Sequence, residues 1–135
     1  MDVFTREQRS AVMSRIRGRN TKPEIFVRSM AHALGYRFRL HRRDLPGTPD
    51  LVFPRLGKII FVHGCFWHQH PDCRYAYQPK SNSLFWKKKF SENLARDTRV
   101  LKDLEALGWK ILIVWECQTR KPQQLLGRIS RFLRG

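Results

Sequence analysis

Apolar residues recur along this chain in blocks whose spacing switches between helical and extended periods. After Thr21, positions 25, 27, 30 and 34 carry Ile, Val, Met and Leu on a helical period, and Gly35 ends the run. Thr21 and Glu24 stand three residues apart at its start, the spacing of an N-terminal capping box. Tyr36 to Leu40 alternates aromatic with basic residues, as a half-buried strand does. A polar turn, His41 to Thr48, leads to Pro49-Asp50 and the short apolar run Leu51-Val52-Phe53. Beyond a turn at Pro54 to Gly57, Lys58 to Val62 reads as a central strand, because its apolarity is unbroken. Apolar residues at 86, 90, 94, 101, 104 and 107 share one period, which predicts a long helix over 83–107 that Gly108 stops. Trp109 to Trp115 then reads as a last buried strand, with both tryptophans in the core, and Pro122 to Leu133 as a terminal helix.

A short basic helix is also predicted over residues 5–17, broken by Gly18-Arg19-Asn20. The element order is therefore α-α-β-β-β-α-β-α, with a helical crossover before the final strand. No repeat, linker or composition break divides the chain, so a single domain over residues 1–135 is expected.

Charge changes the picture. Lys and Arg number 27 against 11 Asp and Glu, a formal charge of +16. Such an excess draws the protein to polyanions by counterion release and long-range attraction. No apolar run of bilayer length and no signal-like start occurs, so a cytoplasmic protein acting on nucleic acid is expected, with no membrane partner. Nothing in the pattern calls for a coiled coil or a large apolar face, so a monomer is expected.

Candidate chemistry is concentrated in residues 62–73, Val-His-Gly-Cys-Phe-Trp-His-Gln-His-Pro-Asp-Cys. Cys65, Cys73 and one histidine place three soft ligands within nine residues, and Cys117 offers a fourth. Three thiols and an imidazole form a closed tetrahedral set of the kind that holds structural zinc. Spacing does not decide between His68 and His70, and Asp72 is a further alternative donor. Asp50 opens the preceding strand, 12 residues before Val62. A phosphodiester hydrolase needs a hard-cation site, which Asp50 and the Val62 carbonyl would supply. The histidine left free by zinc would then be a general base, and His63 would steady a phosphate. Phe66-Trp67 and Phe85-Trp86 form two aromatic pairs next to basic residues, suited to wedging between base steps.

These residues resemble the very short patch repair (Vsr) endonucleases, bacterial enzymes that nick DNA beside T:G mismatches. The resemblance rests on Leu45-Pro46-Gly47-Thr48-Pro49-Asp50, Val62-His63-Gly64-Cys65-Phe66-Trp67-His68, Phe85-Trp86, Asn93, Arg96-Asp97, Leu107-Gly108-Trp109 and Trp115-Glu116-Cys117, in order along nearly the whole chain. It implies an α/β fold with a PD-(D/E)xK restriction-endonuclease-like core, in which a mixed sheet is flanked by helices and carries a zinc loop. It implies catalytic Mg²⁺ on Asp50 and the Val62 carbonyl, with Glu24 assisting through water, His68 activating the attacking water and His63 supporting the phosphate. Zinc would fall to Cys65, His70, Cys73 and Cys117. Phe66, Trp67 and Trp86 would enter the duplex. Lys89 and Asn93 would face the mismatch from the major groove, and an N-terminal segment (residues 1–20), through Met13, from the minor groove. The implied substrate is double-stranded DNA with a T:G mismatch, in the bacterial nucleoid, with the mismatch-repair protein MutL and a repair polymerase as partners. Two rivals stand beside this: a related nuclease with another target, and a non-catalytic zinc-stabilised DNA-binding module.

Overall fold

The computed structural model describes residues 20–135. Helix α1 spans Lys22–Ala33, α2 spans Ser83–Ala106 and α3 spans Pro122–Arg134. Strands β1 (Arg39–Leu40), β2 (Leu51–Phe53), β3 (Lys58–His63) and β4 (Lys110–Trp115) form one sheet in the order β1-β2-β3-β4. The first two pairings are antiparallel, and β3 pairs with β4 in parallel through the crossover helix α2. The helix predicted over residues 5–17 and Met13 lie outside the described residues. The other predicted elements are present with shifted ends, and the first strand is shorter than expected at two residues.

Alternation along the strands sends side chains to both faces, and helices cover both. On one face Leu51, Phe53, Ile60, Leu112 and Val114 pack against Val27, Met30 and Ala31 of α1 and Leu125, Ile129 and Leu133 of α3. On the other, Val52, Ile59 and Phe61 meet Leu104, with Val100 and Leu101 of α2 around them. Each fully buried Leu or Ile contributes about 1.5–3 kcal/mol, so these two layers hold the sheet between its helices. Covering both faces is why β3 reads as continuously apolar.

Some burial expectations fail. Ile25 is 49% exposed, since α1 turns Val27, Met30 and Ala31 to the sheet instead. Leu94, midway along α2, and Leu107, which caps it, are exposed as well. Trp109 is half-buried at the margin of the second core layer. Trp115 is half-buried too, at a strand end rather than inside the core.

Topology decides where chemistry can gather. Because β1–β2 and β2–β3 run antiparallel and β3–β4 parallel, the ends of β1, β3 and β4 share a rim with the start of β2. His41, Asp50, His63 and the Trp115–Cys117 turn are therefore neighbours, although 76 positions separate the first from the last. Gly47 brings the chain into this rim with φ +75°, and a Cβ there would lie 2.5 Å from Val100 Cγ1 on α2. Only glycine fits that approach.

Candidate active site

Thr21 caps α1 as expected, accepting the Glu24 N–H at 3.4 Å. The Glu24 carboxylate does not close the box onto Thr21. Its Oε2 accepts from the Asn20 N–H, from Arg28 and from His41, each at 3.1 Å, and the side chain is buried against the strand rim. Asp50 stands beside it. Its Oδ2 accepts the Val62 N–H at 2.7 Å, and its Oδ1 lies 3.9 Å from His41 Nε2. Burial pushes the Asp50 carboxyl up to about 7, overriding the Val62 hydrogen bond, and the neighbouring Glu24 charge adds to the rise. Two carboxylates thus converge at the rim, and Asp50 is poorly ionised unless positive charge arrives. The donor atoms of Glu24, His41 and Asp50 lie within 4.8 Å of one another and could hold a cation.

The next strand end supplies the imidazoles. His63 closes β3, 7% exposed, with its ring stacked on His68 at 3.9 Å and 7°. Burial, assisted by the His68 charge, lowers it to about 3, so it is neutral. Its Nδ1 is buried without a hydrogen-bond partner among the described residues. His68 bonds through Nδ1 to Asp97 Oδ2 of α2 at 2.7 Å. A carboxylate partner requires the proton on Nδ1, so Nε2 is the ring nitrogen left for other chemistry.

Beyond His68 the loop turns back under Trp115. The donor atoms of Cys65, His70, Cys73 and Cys117 lie within 4.8 Å of one another, with His70 Nδ1 3.7 Å from Cys65 Sγ and 3.5 Å from Cys117 Sγ. No disulfide joins these cysteines. Burial, with an added push from the Cys117 and Cys73 thiols, drives the Cys65 thiol up to about 12. A thiol as buried as that of Cys65 ionises readily only when a metal ion replaces its proton. The His70 ring stacks on Trp115 at 4.1 Å, and the indole also meets the His63 ring edge at 5.3 Å. Trp115 therefore joins the cysteine cluster to the imidazole pair. Asp72 is exposed and outside the cluster.

A cleft of about 1270 Å³ opens along the rim, lined by Glu24, Asp50, His63, His68 and Asp97 among others. Its far wall is aromatic. Phe66 sits at the centre, 5.1 to 5.3 Å from Trp67, Tyr77, Trp86 and Phe90. Tyr77, which lines the cleft, is 62% exposed, and Leu84 and Phe85 at the start of α2 are 82% and 58% exposed. Lys89 and Asn93 also line the cleft. Asn93 is buried, and its amide donates to the Trp67 carbonyl at 3.0 Å.

Local sequence pattern singles out neither Asp97 nor His41 for a role, and the apolar run puts Trp115 in the core. The first two meet partners 29 and 17 positions away, so local spacing could not find them. The strand-end position of Trp115, two residues before Cys117, was the available signal.

A mixed sheet between helices, with carboxylates and imidazoles at its strand ends and a basic surface, defines a restriction-endonuclease-like α/β nuclease. The comparisons narrow this. Residues 1–75 match the family described as DNA mismatch endonuclease Vsr. The chain is 47% identical over 132 residues to the type II nicking enzyme V.XorIIP of Xanthomonas oryzae pv. oryzae, covering 98% of this chain and 96% of the relative. It is 38% identical over 133 residues to the type II nicking enzyme V.NmeAIP of Neisseria meningitidis serogroup A, covering 98% and 94%. To the DNA mismatch endonuclease Vsr of Escherichia coli K12 it is 40% identical over 124 residues, covering 92% and 79%. This chain belongs to the Vsr family of DNA mismatch endonucleases. No helix among the described residues is long and apolar enough to cross a membrane.

Proposed function

We propose that this protein nicks one strand of duplex DNA beside the thymine of a T:G mismatch, by cation-assisted hydrolysis of a phosphodiester. The observation that carries the reading is the convergence of Glu24, Asp50, His63 and the His68–Asp97 pair on one cleft walled by aromatic rings. Asp50 would hold Mg²⁺ with the Val62 carbonyl, and Glu24 would assist through water. When bound, the ion supplies positive charge at the reacting phosphate and acidifies a water molecule.

The protein's own groups do the rest. His68 accepts a proton from the attacking water at Nε2 while Asp97 holds its Nδ1–H. His63, neutral and buried, offers a ring N–H to a phosphate oxygen. The water oxygen bonds to phosphorus as the bond to the 3′ oxygen breaks, and that oxygen takes a proton from solvent. The ends are a 5′-phosphate and a 3′-hydroxyl.

Cys65, His70, Cys73 and Cys117 would hold structural Zn²⁺, the ion suited to three thiolates and an imidazole. Phe66, Trp67 and Trp86 would wedge beside the mismatch, where stacking is weakest. Lys89 and Asn93 would face it from the major groove, and Met13, in the segment over residues 1–20, from the minor groove. In this reading residues 1–135 act as one catalytic domain and a monomer, in the bacterial cytoplasm at the nucleoid, with MutL and a repair polymerase as partners. The nicking-enzyme names of two relatives support a second reading, the same reaction within a different flanking sequence.

The test is Asp50→Asn. Single-turnover nicking should fall by roughly 10³-fold or more while affinity for the mismatched duplex changes little, as expected for a group acting only in the reaction. Loss of affinity and cleavage together, with the fold intact, would remove Asp50 from the cation site.

A further inference from the structure

His41 has a conformation that the proposed reaction does not use. It is the first residue after β1, and its backbone sits at φ +47°, in the left-handed region that non-glycine residues seldom adopt. Residues are held there when the surrounding structure dictates it, most often at functional sites. The consequence here is positional. The side chain, 10% exposed, brings Nε2 to 3.1 Å from Glu24 Oε2 and 3.9 Å from Asp50 Oδ1.

A hydrogen bond to Glu24 does not by itself account for that placement. Glu24 Oε2 already accepts from the Asn20 N–H and from the Arg28 guanidinium. The Val62 N–H occupies only Oδ2 of Asp50. One carboxylate oxygen of Asp50 and one imidazole nitrogen therefore face each other beside Glu24. With bonds of about 2.1 Å to each donor, adjacent ligands of an octahedral cation stand about 3 Å apart, so the 3.9 Å between His41 Nε2 and Asp50 Oδ1 would shorten by a little under about 1 Å when both bind. Glu24, His41 and Asp50 form a group whose donor atoms lie within 4.8 Å of one another.

We infer that His41 Nε2 is a direct ligand of the catalytic cation, adding one nitrogen to the Asp50 carboxylate and the Val62 carbonyl, with Glu24 still acting through water. The inference rests on the reading of Asp50 as that cation's ligand. A nitrogen donor favours borderline ions over hard ones, so the site would prefer Mn²⁺ or Co²⁺ to Mg²⁺. His41 would thus set which ion serves the reaction.

Mn²⁺ reports its own ligands, because a directly bound nitrogen imprints a coupling on its pulsed electron paramagnetic resonance. The full-length, zinc-loaded protein would be titrated with Mn²⁺, alone and with a T:G duplex, alongside Asp50→Asn and His41→Gln. The expected result is a ¹⁴N coupling in the wild type that His41→Gln abolishes, with Mn²⁺ affinity at least about tenfold weaker. Folding of the variant is checked by circular dichroism. Should it fail to fold, wild-type protein labelled with ¹⁵N-histidine must replace the ¹⁴N pattern with that of ¹⁵N, and an unchanged pattern overturns the inference. Mn²⁺ that binds through Asp50 with no nitrogen coupling, or with one that survives His41→Gln, overturns the role of His41 and leaves Asp50 in place. Mn²⁺ uptake indifferent to Asp50→Asn overturns both.

Discussion

Asp50 and His63 show the same burial acting on opposite charges. It moves the carboxyl up to about 7 and the imidazole down to about 3, so both groups favour their neutral forms. A neutral His63 can donate to a phosphate without repelling a cation nearby, whereas Asp50 becomes a good ligand only when a cation displaces its proton. His68 differs because Asp97 fixes its tautomer at 2.7 Å. Asp97→Asn should therefore lower the single-turnover nicking rate by about 10²–10³-fold at saturating DNA, within the range of positioned acid–base catalysis. An unchanged rate would remove Asp97 from the mechanism. Cys73→Ser should release bound zinc, measured by a colorimetric chelator, and lower the melting temperature. Cys65, His63, His68 and Asp50 were legible in the sequence because they crowd one loop and one strand start. His41 and Asp97 were not, since each becomes informative only beside a partner that the fold delivers.

Among the elements, the connections carry as much of the design as the helices and strands. Lys58 starts β3 with its side chain buried, and its ammonium donates to the Phe132 and Leu133 carbonyls at 2.6 and 3.2 Å. This cation at the C-terminus of α3 answers both its unpaired carbonyls and its dipole. Lys58→Met should cost about 1.5–3 kcal/mol in urea unfolding, the value of a charged hydrogen bond, without changing the nicking rate once folded. Gly47→Ala should be more damaging, because its Cβ would meet Val100 and its φ is positive. A loss of about 1–3 kcal/mol and slower nicking are expected, and Val100→Ala in the same chain should restore part of both. No recovery in the double variant would place the cost in backbone conformation alone. Periodicity exposed α1, α2, α3 and the strands because each has a face to bury. It could not show that Ile25 lies outside that face or that β1 is only two residues long, because both depend on packing between distant elements.

At the scale of the molecule, strand direction does the assembling. Antiparallel and parallel pairings bring one carboxylate, the imidazoles and the cysteine cluster to a single rim, with α1 adding Glu24 and α2 adding Asp97. The charge of +16 gathers DNA without selecting a site, so selection falls to the cleft and its aromatic wall. The element order and the basic character were evident from the chain itself, whereas the shared rim needed the sheet's register. The most direct test maps nicks at single-nucleotide resolution on strand-labelled duplexes, matched or carrying a T:G mismatch, with Mg²⁺ or with EDTA. The account predicts one Mg²⁺-dependent nick beside the mismatched thymine, on that strand only, and none in the matched duplex. Equal cutting of matched DNA, or tight binding without any nick, would contradict it.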